Sequence, residues 1–300
     1  MTKQRPSTAS RQSGGATGPW TWPSILVGLV GSGIQASRTP ALHEREGAEQ
    51  GLRYIYKLID LDALGISASA LPEILTAAQR FGFAGLNITH PCKQTVLPLL
   101  DELSPDAAAL GAVNTVVLRD GRRVGHNTDW SGFAESFRSQ LADVRRDRVV
   151  QFGAGGAGAA VAHALLTLGT GEVIIVDTDG ERAHRLASAL CERFGAVRAS
   201  ANPHLPNAIK SADGIVNTTP LGMASYPGMV ISPALLRAEL WVADIVYFPL
   251  ETELLREARA RGCRTMSGGG MAVFQAVDAF RLFTGIDPDA ARMLRHFAEM

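Results

Sequence analysis

The sequence predicts a two-domain α/β protein, and three observations carry that prediction. The chain has 300 residues, enough for two domains of ordinary size. Short apolar runs ending in Gly or polar residues alternate with segments of helical periodicity. One such run, RVVQF at 148–152, leads straight into the glycine-rich turn GAGGAG. A composition of 46% apolar and 19% charged residues suits a well-packed globular chain.

The elements follow in order. Residues 1–22 are rich in Ser, Thr, Gly, Gln and Arg and lack the apolar core of a signal peptide, so a disordered tail is expected. SILVGLVGSG (24–33) reads as a buried strand ending in a Gly turn, and LPEILTAAQRFG (71–82) as a helix with a Gly stop. FAGLNIT (83–89) is a strand whose polar residues gather at its C-terminal end. KQTVLPLLDEL (93–103) reads as helical, with Pro98 marking a kink or break. GAVNTVVLRDGRRVGHNTD (111–129) is a hairpin closed by an Asp-Gly turn. These elements make a first α/β domain over 23–128.

DWSGFAESFRSQL (129–141) is a helix that carries the chain into a second domain, 129–269. Residues 148–179 read as strand, Gly turn, helix over 157–168 and strand. The two strands are parallel because a crossover helix joins them. ADGIVNTTP (212–220) and LWVADIVYFP (240–249) add strand-to-loop units. MAVFQAVDAFRLFTG (271–285) heads a helical end, and residues 270–300 are expected to return to the first domain and complete it.

Several function classes are excluded early. Formal net charge is zero and no Lys/Arg block recurs, so nucleic acid is not an expected partner. Cys92, Cys191 and Cys263 are far apart and form no Cys-x-x-Cys. Neither a disulfide framework nor a metal site is expected, and a reduced cytoplasm fits. The longest near-apolar stretch, Val149 to Val176, is broken by Gly, Gln, His and Glu and makes a poor membrane span.

The glycine-rich turn has the context of a dinucleotide site in a Rossmann-type domain. Gly153 permits the tight turn, Gly155 lets the backbone approach a pyrophosphate, and Gly158 lets the helix pack close to the strand. Ala154, Gly156 and Ala157 complete the loop, whose following helix offers free N–H groups to phosphate. Asp177 ends the next strand, where a carboxylate accepts hydrogen bonds from a ribose 2′-hydroxyl. A 2′-phosphate beside Asp177 and Asp179 is repelled, and Arg182 and Arg185 lie further along, so NAD is expected over NADP.

The heptapeptide NITHPCK (87–93) holds an amide, a hydroxyl, an imidazole, a thiol and an amine. Other polar groups cluster in the first domain. Ser37 and Thr39 offer two hydroxyls of the kind a carboxylate uses, and Asn114 lies in an apolar strand where its amide needs a partner. Asp129 stands at the domain border. On residue types alone, Lys93 and Asp129 read as an ordinary salt bridge between domains.

SRTP, NITHPCK, GAVNT, HNTD, GAGGAG and FQA, in that order, resemble the motifs of the shikimate/quinate dehydrogenase family from about Ile25 to Phe297. The forms THPCKQ and SRTP are most similar to the NAD-preferring quinate/shikimate branch. The resemblance implies that Lys93 is the catalytic acid/base and Asp129 its partner, both touching substrate. It implies that Ser37 and Thr39 hold the substrate carboxylate, and that Thr89, Asn114, Asp129 and Gln275 read ring hydroxyls. Thr39, where strict shikimate enzymes have Ser, implies use of quinate. Tyr247 would line the substrate side of the cleft, and Thr218, Val246, Gly268 and Met271 would face the cofactor. His90 and Cys92 match no catalytic position and read as packing residues, with Asn87 as loop support.

Two departures stand out. Asp177-Thr178-Asp179 replaces the Asn-Arg-Thr of NADP users, in agreement with the charge argument. SGGGM (267–271) replaces Asp-Gly-Leu-Gly-Met, which is expected to loosen that loop. The expected activity is NAD-dependent, reversible oxidation of quinate, shikimate or both to the 3-dehydro acids, in a cleft that closes on hinges near Thr128 and Gly268. A homodimer is compatible with this reading. Its rivals are an NADP-dependent biosynthetic shikimate dehydrogenase, a relative acting on an amino-substituted ring, and a non-catalytic sensor of a quinate-like ligand.

Overall fold

The computed structural model describes residues 24–201 and 205–300, so the expected tail at 1–22 lies outside the described residues. The first sheet is built from β1 (Ser24–Gly31), β2 (Arg53–Asp60), β3 (Gly85–Ile88), β4 (Glu102–Leu103), β5 (Thr115–Arg119) and β6 (Arg122–His126). Its spatial order is β2-β1-β3-β5-β6-β4. β1 pairs in parallel with β2 and β3, and β5 runs antiparallel to both β3 and β6. The hairpin turn has positive φ at Asp120 (52°) and Gly121 (76°), the pair of left-handed residues that a two-residue turn needs to match strand twist.

The second sheet contains β7 (Arg148–Phe152), β8 (Glu172–Val176), β9 (Ala199–Ala201), β10 (Gly214–Asn217), β11 (Trp241–Asp244) and β12 (Arg264–Met266). All its pairings are parallel, in the order β12-β11-β10-β7-β8-β9. Strand order therefore reverses between β7 and β10. A crevice opens outside the C-terminal ends of those strands, where α/β sheets bind ligands. The strands are buried on both faces, which is why they read as nearly continuous apolar runs.

The helices are α1 (Thr39–Glu49), α2 (Leu61–Leu64), α3 (Leu71–Arg80), α4 (Cys92–Thr95), α5 (Pro105–Leu110) and α6 (Asp129–Leu141). They continue as α7 (Gly156–Thr167), α8 (Gly180–Phe194), α9 (Leu205–Lys210), α10 (Glu253–Ala260), α11 (Gly268–Thr284) and α12 (Ala290–Glu299). α6 buries Phe133, Phe137 and Leu141 against the second sheet, while the far end of α11 buries Phe280 and Phe283 beneath the first. These two helices touch along their length. A Cβ on Gly132 would stand 2.7 Å from the Gln275 backbone nitrogen, and one on Gly270 would overlap the Ser136 hydroxyl. α12 is fastened to α1 by the buried Glu46, whose carboxylate accepts from Arg292 Nε (2.9 Å), Arg292 Nη2 (2.7 Å) and the Asp289 N–H (3.0 Å). Burial opposes that charge, but the Arg292, Gln50 and Asp289 donors outweigh it and hold the carboxyl below its usual range.

Two expectations are corrected. Residues 93–103 do not form one helix. The chain makes α4, then a 3₁₀ turn over Leu97–Leu99, then the short β4. Pro98 has no N–H for a helical bond, and the backbone leaves to pair with β6. The stretch 267–271 is not a loosened loop. Ser267 is the N-cap of α11, and Gly268, Gly269, Gly270 and Met271 are buried in its first turn.

The α6–α11 contact generates a test. Gly132→Val inserts atoms where backbone already stands, so stability is expected to fall by roughly 2–3 kcal/mol. Urea unfolding measures this, and an unchanged midpoint would show that the two helices separate without cost.

Candidate active site

A cavity of about 530 Å³ lies where the two sheets face each other. Ser37, Thr39, Thr89, Lys93, Asn114, Asp129, Tyr247 and Gln275 all line it, as do Ala157, Thr218, Val246, Gly268 and Met271. Residues widely separated in sequence therefore share one space, because loops at the strand ends of both sheets and the α6–α11 pair converge there.

At its centre Lys93 Nζ donates to Asp129 Oδ2 at 2.6 Å, with side chains 23% and 11% exposed. Lys93 rides on the one-turn α4. That turn is anchored from below by Cys92, which is fully buried in the core beside the first sheet, and the Lys93 carbonyl accepts from the Val113 N–H at 2.9 Å. Burial pushes the Cys92 thiol up, so it is a packing group and a poor nucleophile. Asp129 opens α6, and its backbone N–H donates to Asn127 Oδ1 at 3.1 Å.

Behind this pair runs a buried amide network. Asn114 Nδ2 donates to Asp129 Oδ1 (2.9 Å) and to Thr128 Oγ1 (3.0 Å), and its Oδ1 accepts from the Thr128 N–H (2.7 Å). Both amide protons are thus taken, and a contact with a ring hydroxyl would replace one of these bonds. Asn87 extends the network. Its Nδ2 donates to Thr115 Oγ1 (3.0 Å) and the Asn114 carbonyl (3.3 Å), and its Oδ1 accepts from Tyr56 Oη (2.7 Å). Asn87 is therefore a buried cavity residue in β3, not a support for the loop as expected. The signal was available, since an amide in an apolar strand needs partners there as much as Asn114 does.

The turn carrying Ser37 and Thr39 is shaped by Asp60, another residue missed in the sequence. Its carboxylate accepts from the backbone N–H groups of Gly33 (3.0 Å) and Ile34 (3.2 Å) and from Gln35 Nε2 (2.9 Å). The Gln35 bond and these N–H groups hold its carboxyl below the usual range. The Thr39 N–H donates to Ser37 Oγ at 3.3 Å, so the two hydroxyl residues sit together at the start of α1.

On the other wall, Gly153 has φ +99°, and a Cβ there would stand 2.7 Å from Thr218 Oγ1. A Cβ on Gly158 would overlap the Gly153 carbonyl, so helix and turn pack without room for a side chain. Around Gly155 and Gly156 the protein leaves open space, so the backbone of the turn can be approached closely there. Thr218 Oγ1 donates to the Phe152 carbonyl at 2.7 Å and ties β10 to the turn. Asp177 Oδ2 accepts from the Ala154 N–H at 2.7 Å, and Oδ1 accepts from Asp179 N–H (2.9 Å) and Arg182 Nη2 (2.7 Å). Arg182 therefore already reaches Asp177, although it stands five residues further along.

Among the described residues no three His, Cys, Asp or Glu side chains cluster as a metal site, and no helix is long and apolar enough to cross a membrane. Residues 29–116 match the shikimate dehydrogenase substrate binding domain, and 268–296 match the shikimate 5′-dehydrogenase C-terminal domain. Residues 135–237 match the alanine dehydrogenase/PNT C-terminal domain. A shikimate dehydrogenase (NADP(+)) of Streptomyces avermitilis is 62% identical over 282 residues, 93% of this chain and 97% of that one. The chain belongs to the shikimate dehydrogenase family. A quinate/shikimate dehydrogenase (NAD(+)) of Corynebacterium efficiens is 51% identical, over 92% of this chain and 99% of that one. A solved quinate dehydrogenase from Corynebacterium glutamicum in complex with NAD has a TM-score of 0.88 at 49% identity, covering 93% of this chain and 100% of that one. The fold is thus a substrate-binding α/β domain followed by a Rossmann-like dinucleotide domain.

In this member of the shikimate dehydrogenase family the loop after β11 hangs on Asp244. The fully buried carboxylate accepts from Asn217 Nδ2 (3.0 Å), the Val246 N–H (3.0 Å) and Thr252 Oγ1 (2.8 Å). Desolvation dominates these donors and pushes its pKa up to about 6. A carboxyl whose folded value is raised stabilises the fold fully below its unfolded value of 3.8 and loses that contribution as pH rises through 6. Asp244→Asn is neutral throughout, so wild type is expected to lose roughly 2–3 kcal/mol relative to it between pH 4 and 7. Parallel stability profiles for the two proteins would contradict a buried, uptitrated Asp244.

Proposed function

We propose that this protein catalyses the reversible oxidation of quinate, shikimate or both to the corresponding 3-dehydro acid, with NAD as cofactor. The observation that carries the proposal is the 2.6 Å pair of Lys93 and Asp129 inside the shared cavity. When bound, the nicotinamide dinucleotide supplies the hydride acceptor. Its fit rests on the open space over Gly155 and Gly156, the N-terminus of α7 and the neighbouring Thr218.

As the neutral amine, Lys93 Nζ takes the proton of the ring hydroxyl while the hydride leaves that carbon for the nicotinamide, and becomes the ammonium paired with Asp129; in reduction the ammonium returns that proton to the alkoxide oxygen. Asp129 fixes the amine's position and balances its charge, and is itself held by Asn114. Ser37 and Thr39 bind the substrate carboxylate. Thr89, Asn114, Asp129 and Gln275 bind ring hydroxyls, with Asn87 added from its place in the cavity wall. An unpaired buried hydroxyl costs about 1–3 kcal/mol, so this polar lining selects a polyol ring. Tyr247 covers the substrate side, and Val246, Gly268 and Met271 the cofactor side. The substrate part spans 23–128 and 270–300, the dinucleotide part 129–269. The three free cysteines suit the cytoplasm.

NAD is favoured by the carboxylates of Asp177 and Asp179 just after β8, whose charge would repel a 2′-phosphate brought to that strand end. A second reading, an NADP-dependent shikimate dehydrogenase, is favoured by the Arg182–Asp177 ion pair, which places a cation at the same position. Nicotinamide absorbance in a two-by-two matrix of quinate or shikimate with NAD⁺ or NADP⁺ separates them. Faster turnover with NAD⁺ is expected, and a clear NADP⁺ preference would overturn the Asp177 argument.

Lys93→Met is expected to lower kcat by about 10²–10⁴-fold, the usual worth of a positioned acid/base. Undiminished turnover in that variant would remove the proposed role.

A further inference from the structure

We propose that Arg38 is a specificity residue of this site, supplying the countercharge for the substrate carboxylate from the rim of the cavity. The inference rests on the proposed function and deepens it. Arg38 stands between the two hydroxyl residues Ser37 and Thr39 and lines the cavity with them. The charged residues of the lining are Arg38, Lys93 and Asp129. Lys93 and Asp129 neutralise each other at 2.6 Å, whereas Arg38 makes no ion pair among the described residues. The cavity therefore carries one uncompensated positive charge, beside the hydroxyls best placed for a carboxylate. A guanidinium offers a planar fork of donors that matches a carboxylate in two bonds.

Its position is held from both sides. The guanidinium carbon lies 5.2 Å from the centroid of Phe248 and 5.7 Å from that of Phe297. Phe248 belongs to the loop after β11 in the second sheet, and Phe297 to α12. Phe248 is 53% exposed, an unusual place for a large apolar ring, and the Arg38 cation lies across it. Arg38 thus joins the substrate domain, the dinucleotide domain and the C-terminal helix at one point of the rim.

Steady-state kinetics on Arg38→Met and Arg38→Lys, each with the ring acid and with its methyl ester, test the proposal. For Arg38→Met the KM of the acid is expected to rise about 10-fold or more, the loss of one charge-assisted contact. The KM of the nicotinamide cofactor should stay within about twofold, since Arg38 lies away from the glycine turn. The preference for acid over ester should shrink, and Arg38→Lys should keep part of it because the charge remains. An unchanged KM and an unchanged acid-to-ester ratio would overturn the inference while leaving the proposed function standing. If Arg38→Met does not fold, Arg38→Gln, which keeps polarity without charge, decides: a raised KM for the acid alone supports the countercharge, and wild-type values overturn it. Failure of the wild type to oxidise any ring acid would overturn both.

Discussion

Much of this structure depends on one close approach, that of α6 to α11. Gly132 and Gly270 let the backbones meet where any larger residue would collide with Gln275 or Ser136. α6 begins at the cavity with Asp129 and ends in the core of the second sheet. α11 begins at the cavity with Gly268 and Met271, presents Gln275 one turn on, and ends beneath the first sheet. The pair is the common member of both domains. Moving one helix by an ångström would shift Asp129 against Gln275, and both line the cavity.

The Lys93–Asp129 pair shows why that fixation matters. Both side chains are largely removed from water, so each charge depends on the other. Removing one partner of such a pair commonly costs more than the pair itself contributes. Asn114 adds a second bond to Asp129 and draws in Thr128, so the carboxylate is oriented from two sides. Asn87 and Tyr56 continue the chain of donors into the core. For the proton transfer proposed for Lys93, a satisfied buried network of this kind would hold the pair in a fixed orientation.

Legibility in the sequence followed the range of the interactions involved. Parallel strands, the crossover helix of the glycine turn, the Asp-Gly hairpin and the helix 129–141 are set by local pattern, and their readings lie within a few residues of the observed bounds. The residues lining the cavity were legible through motif resemblance, which carries geometry that spacing alone does not. What escaped depends on partners far along the chain. Asp60 shapes a loop 26 residues away through the Ile34 N–H. Asn87 looked like scaffolding until Tyr56, 31 positions earlier, was seen to donate to it. Arg182 reaches back to Asp177 across a helical turn, a rotamer choice that no sequence pattern states.

The triple glycine at the head of α11 makes the same point from the opposite direction. Read locally, three glycines signal looseness, since each costs a helix about 1 kcal/mol relative to Ala. In the fold they answer to space. A Cβ on Gly268 would overlap the Ile245 carbonyl, and one on Gly270 would overlap Ser136. An added Cβ on Gly269 would press on the flexible tip of Leu250 at 2.8 Å and lie in ordinary contact with Phe297 at 3.4 Å. Phe297 is also a ring on which Arg38 rests. The run that reads as a weakened loop is therefore a packed helix start, with Phe297 beside it in the wall of the cavity.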